Sequence, residues 1–313
     1  MKVAFSTDSN YIIPATVAIT SFLENNGGSE IDLFLLYIED TLQEQDLIGL
    51  KKVVESYQAH FCPLPVKREM LQDMPILRHG LSTYLRIFLP QILIDVDKIL
   101  YLDVDLIVER NLHDLFHIDM RRYQLAAVAD LKTIYDGSTE YLDKIGYKKT
   151  TPYFCAGILV MNLSILRKID LVGLTIRYLS VYGDKISHSD QDILNVVCDK
   201  ILYLPPKYNC IEGLFNRKCR EIWSDEQIKE AIQRPCIVHY LGPSKPWHFL
   251  CTNFFRNRWF KYLDKTTICN KTELFGEEIN LKCKFLLTLK NVEFFIKRIK
   301  VAGPLRYMYL LGK

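Results

Sequence analysis

The chain has 313 residues, of which 49% are hydrophobic and 25% are charged. This is the ordinary balance of a soluble protein with enough apolar residues for a substantial core, in one large domain or two smaller ones. The formal net charge is only +3. A charge that small gives no reason to expect nucleic acid as a partner.

Short apolar segments alternate with helix-like segments through most of the chain. The first strand candidate, residues 3–5, is followed by Pro14, which suits a first helical turn, and by a helix that ends at Gly27 and Gly28. A mixture of polar and apolar residues over 41–58 predicts the next helix. The remaining strand candidates are residues 31–38, 98–108, 124–130, 154–162 and 236–242.

This alternation predicts an α/β domain with a largely parallel sheet. In such sheets, ligands bind beyond the carboxyl ends of the strands. Asp8, Asp105 and Asp130 lie at or near the ends of three strand candidates. We therefore expect these carboxylates to converge at one edge of the sheet.

The segment KILYLDVDLIVERN, residues 98–111, carries two carboxylates at the end of an apolar run. Asp103 and Asp105 are two positions apart, so on a strand they project to the same side. Burying such a pair without compensation is expensive, and a divalent cation is the obvious candidate to offset that cost. Taken alone, the pair also fits a strand end whose aspartates cap the following loop or helix.

A D-x-D after an apolar strand also occurs in phosphatases of the haloacid dehalogenase type, where the first aspartate is a nucleophile. Two features disfavour that interpretation. Ile107 stands where those enzymes have Thr or Val, and Asp103 lies a third of the way along the chain instead of near its start.

The segment HYLGPSKPWH, residues 239–248, places a histidine at the end of an apolar run, with a glycine and a lysine after it. Neutral imidazole is a good ligand for manganese-like ions beside carboxylates. Lys245 can neutralise phosphate as a point charge. Taken alone, His239 is more often a hydrogen-bonded core residue, but with the two aspartates the set suits a metal-bound diphosphate.

The chain resembles the family 8 glycosyltransferases in six segments, which occur in the same order as in that family. The chain looks like the lipopolysaccharide galactosyl- and glucosyltransferases of that family, with glycogenin a more distant relative, over about residues 1–250. The resemblance implies a GT-A fold, which is a Rossmann-like, mostly parallel sheet flanked by helices. It also implies a UDP-glucose or UDP-galactose donor, Mn²⁺ (or Mg²⁺), and retention of anomeric configuration. The segments are AFSTDSNYIIPATVAITSFLENN, STYLRIFLP, KILYLDVDLIVERNL, FCAGILVMNL, HSDQDILN and HYLGPSKPW.

The resemblance also implies a role for each matched position. The metal ligands would be Asp103, Asp105 and His239. The uracil and ribose would contact Asp8, Asn10 and Tyr11, although Asp and Asn also favour a turn at that point for local reasons. The transferred sugar would contact Asp130 and Asp190, with Gln191 near its anomeric carbon. The donor would also contact Arg86, Gly242 and Lys245; taken alone, Arg86 would be expected as a surface charge on a helix.

Cys155 departs from the family pattern, because relatives commonly have Asn there, with an amide that contacts the donor sugar. A thiol cannot reproduce the hydrogen bonds of an amide. The departure puts the donor sugar in doubt and leaves open a non-catalytic protein that binds nucleotide sugars or glycans. The D-x-D leaves open a metal-dependent phosphohydrolase.

Residues 251–313 differ in composition and are predicted to be a separate, helical tail after a catalytic domain of residues 1–250. Residues 281–313 hold eight Lys or Arg and one Glu, a net charge of 8 − 1 = +7. An apolar stripe at helical spacing lies in the same stretch. We expect the tail to bind an anionic membrane surface, where a glycolipid or lipid-linked saccharide acceptor is found. The stripe is Phe285, Leu289, Val292, Ile296 and Ile299, with Leu287 and Phe294 away from it.

The nine cysteines include no C-x-x-C pair, and we expect mostly buried free thiols in a reducing compartment. The first apolar run is too short for a signal peptide. No apolar stretch reaches the roughly 18 residues needed to span a bilayer. The sequence therefore predicts a cytoplasmic protein that attaches peripherally to the inner face of the membrane.

Overall fold

The computed structural model describes residues 1–27, 30–77, 80–131, 139–269, 271–275 and 281–311. The chain divides into two compact units. The first unit comprises Met1–Ile12, Gly28–Asp103 and Leu112–Leu204. The second unit comprises Ile13–Gly27, Val104–Asn111 and Pro205–Lys313.

A seven-stranded sheet forms the centre of the first unit, in the spatial order β3-β2-β1-β4-β7-β6-β8. Four of its six strand pairings are parallel, and only β7 runs antiparallel to its two neighbours. The mostly parallel α/β sheet expected from the sequence is thus confirmed. The strands are β1 (Lys2–Ser6), β2 (Asp32–Ile38), β3 (His60–Val66), β4 (Lys98–Leu102), β6 (Leu125–Ala127), β7 (Ile158–Asn162) and β8 (Ile201–Tyr203).

Helices of the first unit pack on this sheet and bury an apolar core, in which Tyr84, Phe88, Tyr101 and Phe154 are among the large side chains. The central strands read as nearly continuous apolar runs because both of their faces are covered. The helices are α2 (Glu44–Ser56), α3 (Leu85–Ile92), α4 (His113–His117), α5 (Thr139–Lys144), α6 (Leu163–Lys168), α7 (Leu171–Tyr182) and α8 (Ser189–Val197).

One edge of the sheet collects the polar residues that follow the strands. Strands β1, β4 and β6 run in the same direction, and Asp8, Asp103 and Asp130 come just after them. Strand β7 begins at this edge, where Asp103 N donates to Gly157 O at 2.8 Å. Of the three aspartates expected to converge at the carboxyl ends, Asp8 and Asp130 lie at this edge. The third, Asp105, belongs to the second unit, and Asp103 follows β4 instead.

The second unit contains a two-stranded antiparallel ladder of β5 (Leu106–Val108) and β9 (Ile237–His239), with Leu106 opposite His239. All but the first residue of α1 (Ile12–Asn26) belongs to this unit. Ser21 Oγ of α1 accepts a hydrogen bond from Val108 N at 2.9 Å. The other helices are α9 (Asp225–Gln233), α10 (Arg256–Leu263), α11 (Lys271–Phe275), α12 (Leu281–Ala302) and α13 (Pro304–Leu311).

Two of the predicted strands need correction, and two observed strands were not predicted. The run 98–108 is two strands in different sheets, because the backbone leaves the first sheet after Asp103. The run 236–242 joins β5 instead of the parallel sheet. Strands β3 and β8 were missed. The first contains Pro63 and Pro65, which lower strand propensity and are tolerated because β3 lies at the sheet edge, and the second is only three residues long.

The predicted tail helix is present as α12, and ion pairs hold it within the second unit. Arg298 pairs with Glu212, and in α13 Arg306 lies 3.2 Å from Asp225. Three positions of the predicted stripe are about half exposed: Leu289, Val292 and Ile296. Ile299 is half-buried, and the side chains of Phe285 and Leu287 lie outside the described residues.

The eight cysteines that the structure describes are all free, and six of them are buried, as the sequence predicts. Among the described helices, none is both long enough and apolar enough to cross a membrane. The domain boundary near residue 250 stays a prediction.

Gly303, between α12 and α13, provides a test of this packing. Its φ is +80°, and an added Cβ would lie 2.0 Å from Arg217 Nη2. The Arg217 guanidinium is itself held by Ala302 O at 2.9 Å. Because an L side chain in the left-handed region costs about 1–2 kcal/mol, Gly303→Ala should lower the free energy of unfolding by at least that amount, measured by urea unfolding followed by circular dichroism.

Gly49→Ala is the matched control for this change. Gly49 lies within α2, and an added Cβ there would meet no atom within 4 Å. Alanine at an exposed helical position should stabilise the protein by up to about 1 kcal/mol. If both substitutions changed the free energy of unfolding by the same amount, alanine at position 303 would not be strained, and the prediction would be contradicted.

Candidate functional site

The first unit holds a buried guanidinium at the carboxyl edge of its sheet. Arg86, on α3, has only 4% of its side chain exposed. Its Nη2 donates to Asp103 Oδ1 at 2.8 Å, its Nη1 donates to Ala156 O, and its Cζ lies 4.2 Å from the centre of the Tyr101 ring. The surface charge expected from the sequence taken alone is thus wrong, because α3 directs this residue into the core.

Asp190, the second residue of α8, approaches the same guanidinium. Its Oδ2 lies 3.0 Å from Arg86 Nε. That N–H points instead at Thr83 O, 3.2 Å away, so Asp190 Oδ2 has ionic contact but no hydrogen bond. Burial raises the pKa of Asp190 from its ordinary 3.8 to about 7, against the lowering effect of Arg86 and with a further increase from Asp103.

The Arg86–Asp103–Asp190 cluster therefore contains one cation and two carboxyl groups. Burial tends to lower the pKa of Arg86, but the two carboxylates outweigh it and raise the pKa above its usual value. Asp103 is the more exposed of the two acids, with 26% of its side chain accessible. Asp190, with 6% of its side chain accessible, is the less exposed acid, and with a pKa of about 7 it is partly protonated at neutral pH.

Gln191 and Asp130 form a second contact at this edge. Gln191 Nε2 donates to Asp130 Oδ2 at 2.7 Å, and Gln191 Oε1 accepts from Ala156 N at 2.9 Å. Both ends of the amide are therefore fixed. The structure thus brings Arg86, Asp103, Asp130, Asp190 and Gln191 together within the first unit.

The predicted nucleoside-binding residues form a short turn after β1. Asp8 Oδ1 accepts from Asn10 N at 2.9 Å, and Tyr11 N donates to Asp8 O at 3.0 Å. This is the local turn that Asp and Asn favour. Tyr11 is 38% exposed, and the contact of these residues with the uracil and ribose stays a prediction.

The second unit holds the remaining predicted site residues around the start of β5. Asp105 Oδ1 lies 3.0 Å from His239 Nε2, and Asp105 Oδ2 lies 2.5 Å from Lys245 Nζ. Lys245 Nζ also donates to Tyr240 O at 2.7 Å. Burial alone would raise the pKa of Asp105, but Lys245 and His239 outweigh it and hold that pKa well below its usual range.

Asn209 fixes the orientation of His239 and was missed at the sequence level. Its Oδ1 lies 2.9 Å from His239 Nδ1. When the ring is protonated, Nδ1 donates to Asn209 and Nε2 donates to the Asp105 carboxylate. A neutral ring that keeps its Nδ1 proton on Asn209 would present the Nε2 lone pair to a metal ion instead. No sequence motif marks Asn209, because it reaches the ladder through the backbone contact of Cys210 N with Ile237 O, at 2.9 Å.

Gly242 lies between His239 and Lys245 in the chain. Its φ is +88°, which favours glycine, and an added Cβ would meet no atom within 4 Å. The backbone conformation, and not crowding, therefore explains glycine at this position.

Comparison with known proteins identifies the family. The model of glycosyl transferase family 8 matches residues 2–251. The chain belongs to this family. A putative glycosyltransferase of Haemophilus influenzae is 28% identical over an alignment that covers 96% of this chain and 88% of that protein. The lipopolysaccharide 1,2-glucosyltransferase of Escherichia coli K12 is 25% identical, over 79% of this chain and 73% of that protein.

A solved relative shows the same fold. The crystal structure of the galactosyltransferase LgtC, in complex with donor and acceptor sugar analogs, has 26% sequence identity and a TM-score of 0.77, and the match covers 88% of this chain and 99% of that one. The family 8 chain thus has the GT-A fold that its sequence resemblance implied.

Asp190 makes a testable contribution to the pH dependence of stability. Its pKa is raised on folding, so between about pH 4 and pH 7 the folded protein holds a proton that the unfolded chain has released. The stabilisation from this proton is complete below the ordinary pKa and is lost as the pH rises through about 7.

Replacing Asp190 by Asn removes this titration. Without divalent metal, Asp190→Asn should gain stability relative to the parent as the pH rises from 4 to 8, by at most about 4 kcal/mol for a shift of about three pKa units. Urea unfolding of both proteins across this range measures the difference. A difference that does not change with pH would contradict the raised pKa.

Proposed function

We propose that the protein is a retaining hexosyltransferase that moves glucose or galactose from a UDP-sugar to a saccharide acceptor of lipopolysaccharide or another cell-surface glycan. The observation that carries the proposal is Asp105, whose carboxylate contacts an imidazole on one oxygen and an ammonium group on the other. That combination suits a metal-bound diphosphate. The lipopolysaccharide glucosyltransferase and the galactosyltransferase among the relatives support the choice of hexose.

The proposed metal ligands are Asp103, Asp105 and His239. Asp103 and Asp105 are separated by a single residue in the chain. The Nε2 lone pair of a neutral His239 would meet a carboxylate oxygen at 3.0 Å, an arrangement of two acceptors that a cation between them would stabilise. This donor set fits Mn²⁺ or Mg²⁺. When bound, the ion would stabilise the negative charge that develops on the departing diphosphate.

Lys245 and Gly242 are proposed to bind the diphosphate. The Lys245 ammonium contacts Asp105 and can also neutralise a phosphate oxygen. The positive φ of Gly242 and the open space beside it allow a ligand to approach the backbone closely. Asp8, Asn10 and Tyr11 are proposed to bind the uridine.

The sugar is proposed to lie against Asp130, Asp190 and Gln191. A protonated Asp190 can donate a hydrogen bond to a sugar hydroxyl, but it is a poor nucleophile. The carboxamide of Gln191 is also a poor nucleophile, and its two ends are already engaged with Asp130 and Ala156. These properties favour attack by the acceptor hydroxyl on the face that the leaving group vacates, over a double displacement through a carboxylate.

Cys155 is proposed to influence the choice of donor sugar. It is buried beside the sugar-binding residues, and its backbone N donates to Val128 O at 2.9 Å. The backbone of this segment is therefore held in place without the side chain. A thiol in place of an amide removes hydrogen bonds to a sugar hydroxyl, which changes the preference between epimers more than the ability to bind UDP.

Substitution of Asp105 tests the proposed reaction. The parent should transfer labelled hexose from UDP-glucose or UDP-galactose to an oligosaccharide or to water, and release UDP, only with a divalent ion present. Asp105→Asn keeps the shape but removes the charge, so turnover should fall by at least about 100-fold. Mn²⁺ binding, measured by calorimetry, should weaken in parallel.

Glu109→Gln is the matched control, because Glu109 is a carboxylate at the opposite end of β5 that pairs with Arg258. It should keep both the activity and the Mn²⁺ affinity of the parent. Full turnover of Asp105→Asn in chelator would reject the metal assignment. Release of inorganic phosphate without sugar transfer would favour the phosphohydrolase, and binding of UDP-sugar without turnover would favour a binding protein.

The tail is proposed to attach the enzyme to the inner face of the cytoplasmic membrane. Helix α12 exposes Lys290, Lys297 and Lys300. Three lysines near anionic lipid would contribute about 3 kcal/mol. Exposed apolar side chains of the same helix add area for insertion: Leu286, Leu289, Val292, Phe295 and Ile296.

The triple variant Leu289→Glu, Val292→Glu, Ile296→Glu should lose sedimentation with vesicles of phosphatidylethanolamine and phosphatidylglycerol, because acidic groups prevent insertion. The double variant Ile176→Glu, Val181→Glu, at exposed apolar positions of α7, should sediment like the parent. Failure of the parent to bind these vesicles at low salt would show that the tail has only a structural role.

A further inference from the structure

Residues 153–155 run antiparallel to residues 128–130 before a turn that starts at Ala156 and leads into β7, and their main-chain groups alternate between two sides. On one side, Tyr153 O accepts from Asp130 N at 2.7 Å and Cys155 N donates to Val128 O at 2.9 Å. Successive residues of an extended chain direct their N–H and C=O groups in opposite directions. Phe154 and Ala156 must therefore find partners on the other side.

Those partners are two amide side chains of α8. Phe154 N donates to Asn195 Oδ1 at 2.8 Å, and Phe154 O accepts from Asn195 Nδ2 at 2.8 Å. Ala156 N donates to Gln191 Oε1 at 2.9 Å. The two amides thus occupy the place of a neighbouring strand, and one of them belongs to the proposed sugar-binding set.

The spacing of helix and strand makes this pairing specific. Residues i and i+4 of a helix are about 6 Å apart along its axis, and alternate residues of a strand are about 6.6 Å apart. Asn195 and Gln191 therefore match Phe154 and Ala156 in register. Asn195 Nδ2 also donates to Gln191 O at 2.9 Å, which ties the two helix residues directly.

The side-chain amide of Asn195 can make its hydrogen bonds in only one orientation. It is 1% exposed, and its oxygen and both of its N–H groups are used. The Phe154 N–H requires the amide oxygen, so the two carbonyls must receive the amide nitrogen. Loss of the side chain would leave buried main-chain groups of Phe154 without partners, which is costly enough to shift α8 along the segment.

We propose that Asn195 is a positioning residue for the transfer reaction, acting through Gln191. By fixing the register of α8, it holds Gln191 Nε2 at 2.7 Å from Asp130 Oδ2, and so holds the amide where the proposed function places the anomeric carbon. This inference rests on the proposed function for its kinetic consequence, and on the hydrogen bonds alone for its structural consequence.

A double-mutant cycle tests the kinetic consequence. Asn195→Ala should lower kcat by about 10- to 100-fold, the effect of a small misplacement near the reacting atoms. The KM for donor should stay within about threefold, because the groups that bind UDP are unchanged. In a Gln191→Ala background, Asn195→Ala should cause no further loss. Fully additive losses, or an unchanged kcat in Asn195→Ala, would overturn the proposal.

Asn162→Ala is the matched control. Asn162 also uses both ends of its amide on main chain, accepting from Ile165 N at 3.0 Å and donating to Met120 O at 2.9 Å, but it lies at the far end of β7. It should lose stability without losing kcat. Asn195→Asp, which keeps the acceptor for Phe154 N, replaces the alanine variant if that variant does not fold. Like the alanine variant, Asn195→Asp should have a lower kcat and a KM for donor close to that of the parent.

Amide hydrogen exchange separates this inference from the proposed function. In Asn195→Ala, the Ala156 N–H should exchange faster than in the parent and in Asn162→Ala, whether or not the protein transfers sugar. If the parent transfers no hexose, the proposed function fails, and the exchange rate of the Ala156 N–H alone then decides whether Asn195 positions Gln191. Unchanged protection of Ala156 would overturn the positioning role.

Discussion

A guanidinium removed from water needs anionic or carbonyl partners, because an uncompensated buried charge costs several kcal/mol. In the first unit, Arg86 meets this need with Asp103, with Asp190 and with the carbonyl of Ala156. These three residues follow β4, begin α8 and precede β7. The Arg86 guanidinium thus contacts residues from three segments at this edge of the sheet.

In the same cluster, burial and the neighbouring Asp103 raise the pKa of Asp190. One cation cannot fully neutralise two carboxylates, so the less accessible one keeps its proton. Asp190 is thereby suited to donate a hydrogen bond. Different environments for a pair of acids are a common way for enzymes to give them different roles. In the second unit, the pKa of Asp105 is lowered, whereas that of Asp190 is raised. The cause is that one Asp105 oxygen contacts the His239 imidazole and the other contacts the Lys245 ammonium group.

Local sequence signals predicted much of this arrangement. The D-x-D, the histidine at the end of an apolar run and the order of the six motifs identified the fold and most of the proposed ligands. What they missed depends on contacts between distant segments. Arg86 looks like a surface residue until α3 is placed against the sheet, and Asn209 has no motif, because its position depends on backbone pairing with β9. The division of 98–108 into two strands also could not be predicted, because the apolar runs before and after Val104 have the same sequence pattern.

The amides of Asn195 and Gln191 have a consequence unrelated to chemistry. Unpaired N–H and C=O groups along an extended segment are a template on which another polypeptide can add a strand, and proteins protect such edges to avoid aggregation. Phe154 and Ala156 have such main-chain groups just before β7, and two amide side chains of α8 bind them in place of a further strand. Helix α8 therefore leaves none of these three main-chain groups open to pairing with another chain.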